Sequence, residues 1–172
     1  MRNRLLVAAV VTVVAGICGP AAAAGAPAGD QDTTFVNSSH QGNLAEIAAG
    51  QDAQEHATTS CVKDVGAKLV TDHEDLDSDL KALATKSGMT LPTAPTVEQQ
   101  QKLIAIQDEA GTAEYDTAWL ADQEAAHTKT LALIDTQIRA GSDTAVTNAA
   151  QKARPVVAMH LEMVRGGTCH PM

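Results

Sequence analysis

Apolar residues recur at steps of three and four along most of the chain after residue 32, and no run alternates over the length of a strand. The clearest stripe is Val62, Val65, Leu69, Leu76, Leu80 and Leu83, with Lys63, Asp64, Lys68, Asp75 and Lys81 on the opposite face. It predicts a helix over 60–87, capped by Thr58-Thr59-Ser60 and stopped by Gly88. Ahead of it, Val36, His40, Leu44 and Ile47 predict a helix from Asp32 or Thr33 to about Thr58, with Glu46 beside the stripe. Behind it, Pro92 and Pro95 hold 89–96 extended. Thr96-Val97-Glu98-Gln99 then opens a short helix carrying Leu103, Ile104 and Ile106, which bends or breaks at Gly111. Leu120, Glu124, His127, Leu131, Ile134 and Ile138 predict a helix over 112–140. Gly141-Ser142-Asp143 stops it and caps the last one, whose stripe is Val146, Ala149, Ala153, Val157, His160 and Val164. That helix is expected to kink at Pro155 and to end near Arg165, before Gly166-Gly167. The fold class is therefore all-α, with four long helices.

The first residues read differently. Arg2 and Arg4 precede an apolar run from Leu5 to Ile17 that is too short to span a membrane, and small residues follow from Ala21 to Ala28. This predicts a secretory signal peptide over 1–26, cleaved near Ala24 or Ala26. A flexible leader over 27–31, a helical domain over 32–165 and a tail over 166–172 complete the organisation. Cys18 does not suit lipidation, because Ile17 stands where a small residue is wanted. No later run is long and apolar enough to cross a membrane.

The formal charge of −9 becomes more negative once Arg2 and Arg4 leave with the signal peptide. A chain this acidic has no bulk attraction for nucleic acid or anionic lipid. Export also changes the reading of the cysteines. Cys61 and Cys169 remain after cleavage, and an exported pair is expected to form a disulfide. Such a bond closes a loop of about 109 residues, worth roughly 4–5 kcal/mol in the chain-entropy model. The tail around His170 is expected to fray.

The disulfide bears on topology. In an up-down-up-down bundle, Cys61 and the end of the last helix lie at opposite poles, roughly 40 Å apart by helix rise. With one long crossover between the second and third long helices they share a pole. Cys61–Cys169 pairing therefore favours a ferritin-like four-helix bundle with that crossover.

The same arrangement gathers chemistry. His73 falls on its apolar stripe with Asp72 at the edge, and His127 and His160 fall on theirs. Glu46, His73, Glu124, His127 and His160 all lie in the middle third of their helices. These residues and Asp72 are the candidate metal ligands, since imidazole suits zinc, copper, nickel or iron. The bland reading is three core histidines, each satisfied by a neighbour. A complete di-iron set is missing. Glu124-Ala125-Ala126-His127 matches one Glu-x-x-His, but Val157 stands where the second Glu belongs. No Gly-x-Ser-x-Gly elbow or phosphate-binding glycine loop occurs, which removes the common hydrolase and nucleotide readings.

Phe35-Val36, Gln41-Gly42-Asn43-Leu44-Ala45-Glu46-Ile47, Val62 to Asp72-His73, Gly111 to Tyr115-Asp116, Trp119-Leu120, His127, Arg154-Pro155 and His160-Leu161 follow in an order that resembles the "domain of unknown function 4142" family. The resemblance covers about 32–165. It implies a ferritin-like bundle in an exported bacterial protein, and assigns no biochemical role. Arg154 departs from the leucine usual before that proline.

Two functions compete. The first, placed ahead on sequence alone, is a non-catalytic envelope or secreted protein with no cofactor, acting through its surface in stress tolerance or partner binding. The second is a metal-binding bundle holding a single transition-metal ion. In the first, the histidines are held by internal hydrogen bonds and stay further apart than ligands of one ion.

Overall fold

The computed structural model describes residues 29–170. The expected signal peptide and Cys18 lie outside the described residues. Among the described residues the chain is all-helical. Four long helices, α1 (Asp30–His56), α2 (Ser60–Ser87), α4 (Ala113–Ala140) and α5 (Thr144–Val164), are joined by a short α3 (Val97–Gln107), and a 3₁₀ turn (Arg165–Gly167) follows α5.

Local signals set the boundaries. Thr59, Thr96, Thr112 and Asp143 each accept a hydrogen bond from a backbone N–H of the first helical turn, as N-cap side chains do. Gly88 ends α2 at φ +66°, a left-handed conformation open to glycine at little cost. α1 starts at Asp30, two residues before the expected start. The reason is Asp32, which is buried and accepts from the Gly29 N–H at 3.1 Å, so the first turn is tied down. Pro155 lies inside α5 without ending it.

Two buried carboxylates pin the poles. At one, Asp32 accepts from Gln137 Nε2 (2.6 Å), Ser142 Oγ (2.5 Å) and Asp143 N (3.0 Å), joining the start of α1 to the α4–α5 turn. At the other, Asp116 at the start of α4 accepts from the backbone and hydroxyl groups of Thr58 and Thr59, between α1 and α2. Cys61 and Cys169 are bonded at that second pole, their Cα atoms 6.2 Å apart. Thus α2 and α4 start at the same pole, and the connection through α3 runs back along the helices. His40 fastens it, bridging Asp77 Oδ1 (2.5 Å) and Pro92 O (3.0 Å), while Gln41 Nε2 donates to Ala94 O (3.2 Å). The tail is tied rather than frayed, because the disulfide holds Cys169 and the His170 N–H donates to Met163 O at 2.8 Å.

α1 packs most closely on α2, and α4 on α5. The core is in two parts. Ala53, Val62, Leu69, Tyr115, Trp119 and Val164 belong to one cluster near the disulfide. Phe35, Val36, Leu80, Ile134, Val146 and Val157 belong to the other. Along each long helix, the residues between the two clusters form a polar layer.

Candidate metal centre

That layer holds His73 from α2, His127 from α4 and His160 from α5, each no more than 3% exposed. Their positions follow from the helical repeat. His73 is four residues from Leu69, His127 is seven from both Leu120 and Ile134, and His160 is three from Val157. Each side chain therefore inherits the inward direction of its apolar neighbours.

Each ring has one nitrogen held. His73 Nδ1 is 2.9 Å from Asn43 Oδ1, His127 Nδ1 is 2.8 Å from the Gln123 carbonyl, and His160 Nε2 is 2.7 Å from Asp72 Oδ2. All three partners are acceptors, so each fixes a tautomer in which that nitrogen carries the proton. The lone pair is left on the other nitrogen. Those atoms, His73 Nε2, His127 Nε2 and His160 Nδ1, are buried and have no hydrogen-bond partner. The rings stand 5.1–5.7 Å apart between centroids. One ligand atom from each residue falls within 4.8 Å of the other two. Ligands at zinc distance in a tetrahedron are about 3.3 Å apart, so small side-chain shifts bring the nitrogens onto one ion.

Electrostatics favour the neutral rings. Burial pushes the His73 pKa well below 6.5, with His127 and His160 adding to the effect. Burial and the neighbouring His160 bring His127 down to about 4, against the Gln123 bond. His160 is also lowered by burial, although Asp72 opposes it. Burial acts to raise Asp72, but hydrogen bonds from Lys68 (2.6 Å) and His160 outweigh it and hold the carboxyl low. Three unprotonated nitrogens thus converge as buried atoms without a protein hydrogen-bond partner, a costly arrangement until a cation, a proton or another donor satisfies them.

The other expected ligands fall elsewhere. Glu124 does not join the histidines. Its Oε1 accepts from the Gly166 N–H at 2.9 Å, because the residue sits on the edge of α4 beside the end of α5. Asp72 stands behind His160, and Lys68 donates to both of its oxygens. Glu46 is buried, with Oε2 unpartnered, and lies outside the group of ligand atoms. Burial and then the charge of Asp122 raise its carboxyl to about 8, against a hydrogen bond from Gln123. It lines a cavity of about 220 Å³ that also reaches Asn43, His73 and His127.

Asn43 and Gln123 escaped the sequence reading. They are buried polar residues on stripes that hydropathy alone rotates away from the core. In α1 the inward series is Val36, His40, Asn43 and Glu46, while Leu44 and Ile47 are only half-buried. In α4 it is Leu120, Gln123, His127 and Ile134, with Leu131 and Ile138 half-buried. The seven-residue step from Val36 to Asn43 was the available signal.

The sequence profile of the family described as "Domain of unknown function (DUF4142)" matches residues 18–166. No curated protein matches the sequence. Among solved structures, the fold is similar to that titled "Crystal structure of DUF305 fragment from Deinococcus radiodurans", with a TM-score of 0.69 and 12% identity, over 82% of this chain and 97% of that one. At this identity the likeness is one of fold.

Proposed function

The chain belongs to the DUF4142 family, and we propose that it binds one transition-metal ion through His73, His127 and His160. The observation that carries this is the set of three buried, unpartnered nitrogens on histidines whose opposite nitrogens are each held by an acceptor. Core histidines kept only for packing gain nothing from leaving their free nitrogens together. An all-imidazole set suits zinc, copper, nickel or ferrous iron, and it lacks the oxygen ligands that magnesium and calcium need. The two described cysteines are bonded to each other and offer no thiolate. The acceptors behind the rings act as orienting partners, the usual supports of metal-bound histidine.

The rest of the reading concerns where and how the ion is carried. The chain is a ferritin-like bundle in which α3 belongs to the crossover, and its histidine centre replaces the carboxylate-rich di-iron set. It is exported to the envelope or the medium by its N-terminal signal, and the Cys61–Cys169 bond fits an oxidising compartment.

Metal content tests the proposal. The chain is produced through its own export route and bound metal is measured by mass spectrometry, with His73→Ala and His127→Ala alongside. About one ion per chain, lost in both variants, is expected. A metal-free chain whose folding is unchanged by zinc or copper would overturn the reading and return the surface-acting role to first place.

A further inference from the structure

Three imidazoles leave a tetrahedral ion one position short, the arrangement of catalytic and ligand-binding sites rather than closed structural ones. Resting on the metal reading above, we propose that the fourth position takes a small monocarboxylate, with its head on the ion and its alkyl chain in the adjoining cavity. The cavity walls supply the geometry. They include His73 and His127, and Phe35, Leu80, Ile134 and Val157 continue them as an apolar lining. Both histidines carry one of the unpartnered nitrogens. A ligand filling this space therefore lies against two of the three rings and against hydrocarbon along its length.

The charge of the ligand follows from the donor set. Three neutral imidazoles leave both charges of a divalent ion uncompensated in a buried layer. Asp72 is already engaged by His160 and Lys68. An anion at the fourth position offsets that charge where the dielectric is low. Glu46 is a further polar residue of the cavity wall, and its Oε2 has no protein partner.

Gly42 adds an independent observation. It lies inside α1, where glycine costs up to about 1 kcal/mol against alanine. Unlike Gly50 and Gly66, whose added Cβ atoms would strike backbone, a Cβ on Gly42 meets nothing within 4 Å. It lines the cavity, so its missing side chain leaves the wall open rather than allowing two helices to touch.

Cobalt(II) provides the test, because its visible spectrum reports its coordination. The full exported chain is loaded with cobalt, its stoichiometry is measured, and acetate, butyrate and hexanoate are titrated separately. Each should change the spectrum. Affinity should rise up to about fourfold per methylene, making hexanoate at least tenfold tighter than acetate. Gly42→Leu and Ala149→Phe, which fill the cavity from α1 and α5, should keep one cobalt per chain and lose the preference for the longer acid. Bound cobalt with a spectrum indifferent to carboxylates would overturn this inference and leave the metal reading intact. Equal affinity for acetate and hexanoate would do the same. A chain that holds neither cobalt nor zinc nor copper would overturn both.

Discussion

His160 on α5 donates its Nε2–H to Asp72 Oδ2 on α2 at 2.7 Å, and Lys68 donates to both oxygens of the same carboxylate at 2.6 Å. A lysine, a carboxylate and a histidine are thus aligned from the surface to the buried layer. The bond sets the tautomer of His160 and aims its Nδ1 at the other two rings. Asp72→Ala should lower metal affinity roughly 10- to 100-fold. Lys68→Ala should cost less, since the carboxylate still accepts from His160. Competition against a chelator of known affinity measures both. Equal affinities in Asp72→Ala and the parent chain would mean that Asp72 serves only the surface.

Asp32 ties the start of α1 to the α4–α5 turn. Burial acts to raise its pKa, but bonds from Ser142, Gln137, Asp143 and Gly29 outweigh this and bring it down to about 2. Because the folded-state value lies below the unfolded one of 3.8, the stability it gives is complete above about pH 4. It is lost as pH falls towards 2, about 2 kcal/mol in all. Urea unfolding of Asp32→Ala at pH 7 should show a loss of roughly 3 kcal/mol, with a flatter acid limb than the parent.

Glu46 has the opposite sign. Its pKa rises from 4.5 unfolded to about 8 folded, so between those values the folded chain keeps a proton that the unfolded chain has released. Its contribution therefore falls as pH rises through this window, by at most about 4–5 kcal/mol. Glu46→Gln removes that fall. The stability difference between Glu46→Gln and the parent, both metal-free, should grow from pH 5 to pH 8. A constant difference would place Glu46 in contact with water.

Gly50 and Gly66 let α1 and α2 touch. A Cβ on Gly50 would sit 2.5 Å from Gly66 O, and one on Gly66 would sit 2.8 Å from Gly50 O. Alanine at either position should cost more than about 2 kcal/mol, despite its better helix propensity. Gly42→Ala, with open space around it, should stabilise by up to about 1 kcal/mol. Thermal unfolding of the three variants separates close packing from propensity.

The legible parts of the fold were those written in local chemistry. Thr59, Gly88, Thr96, Thr112 and Asp143 mark helix ends, and the structure uses each of them as a cap. The three histidines were legible because they fall in register with leucine, isoleucine and valine. Asn43 and Gln123 were not, because a buried polar residue is inward-facing only once its partner is known. Glu124 misled for a related reason. Its spacing to His127 matches a ligand motif, but one residue of rotation turns it from the centre of the bundle to the Gly166 N–H. The surface role, favoured on sequence, assumed histidines both satisfied and apart. They are each satisfied on one nitrogen, and together on the other.

X-ray absorption at the metal edge of the zinc-loaded chain tests the central claim most directly. Three imidazole nitrogens at about 2.0 Å and one further light atom are expected, with the imidazole scattering diminished in His160→Ala. A first shell of oxygen alone, or the same spectrum in parent and variant, would contradict it.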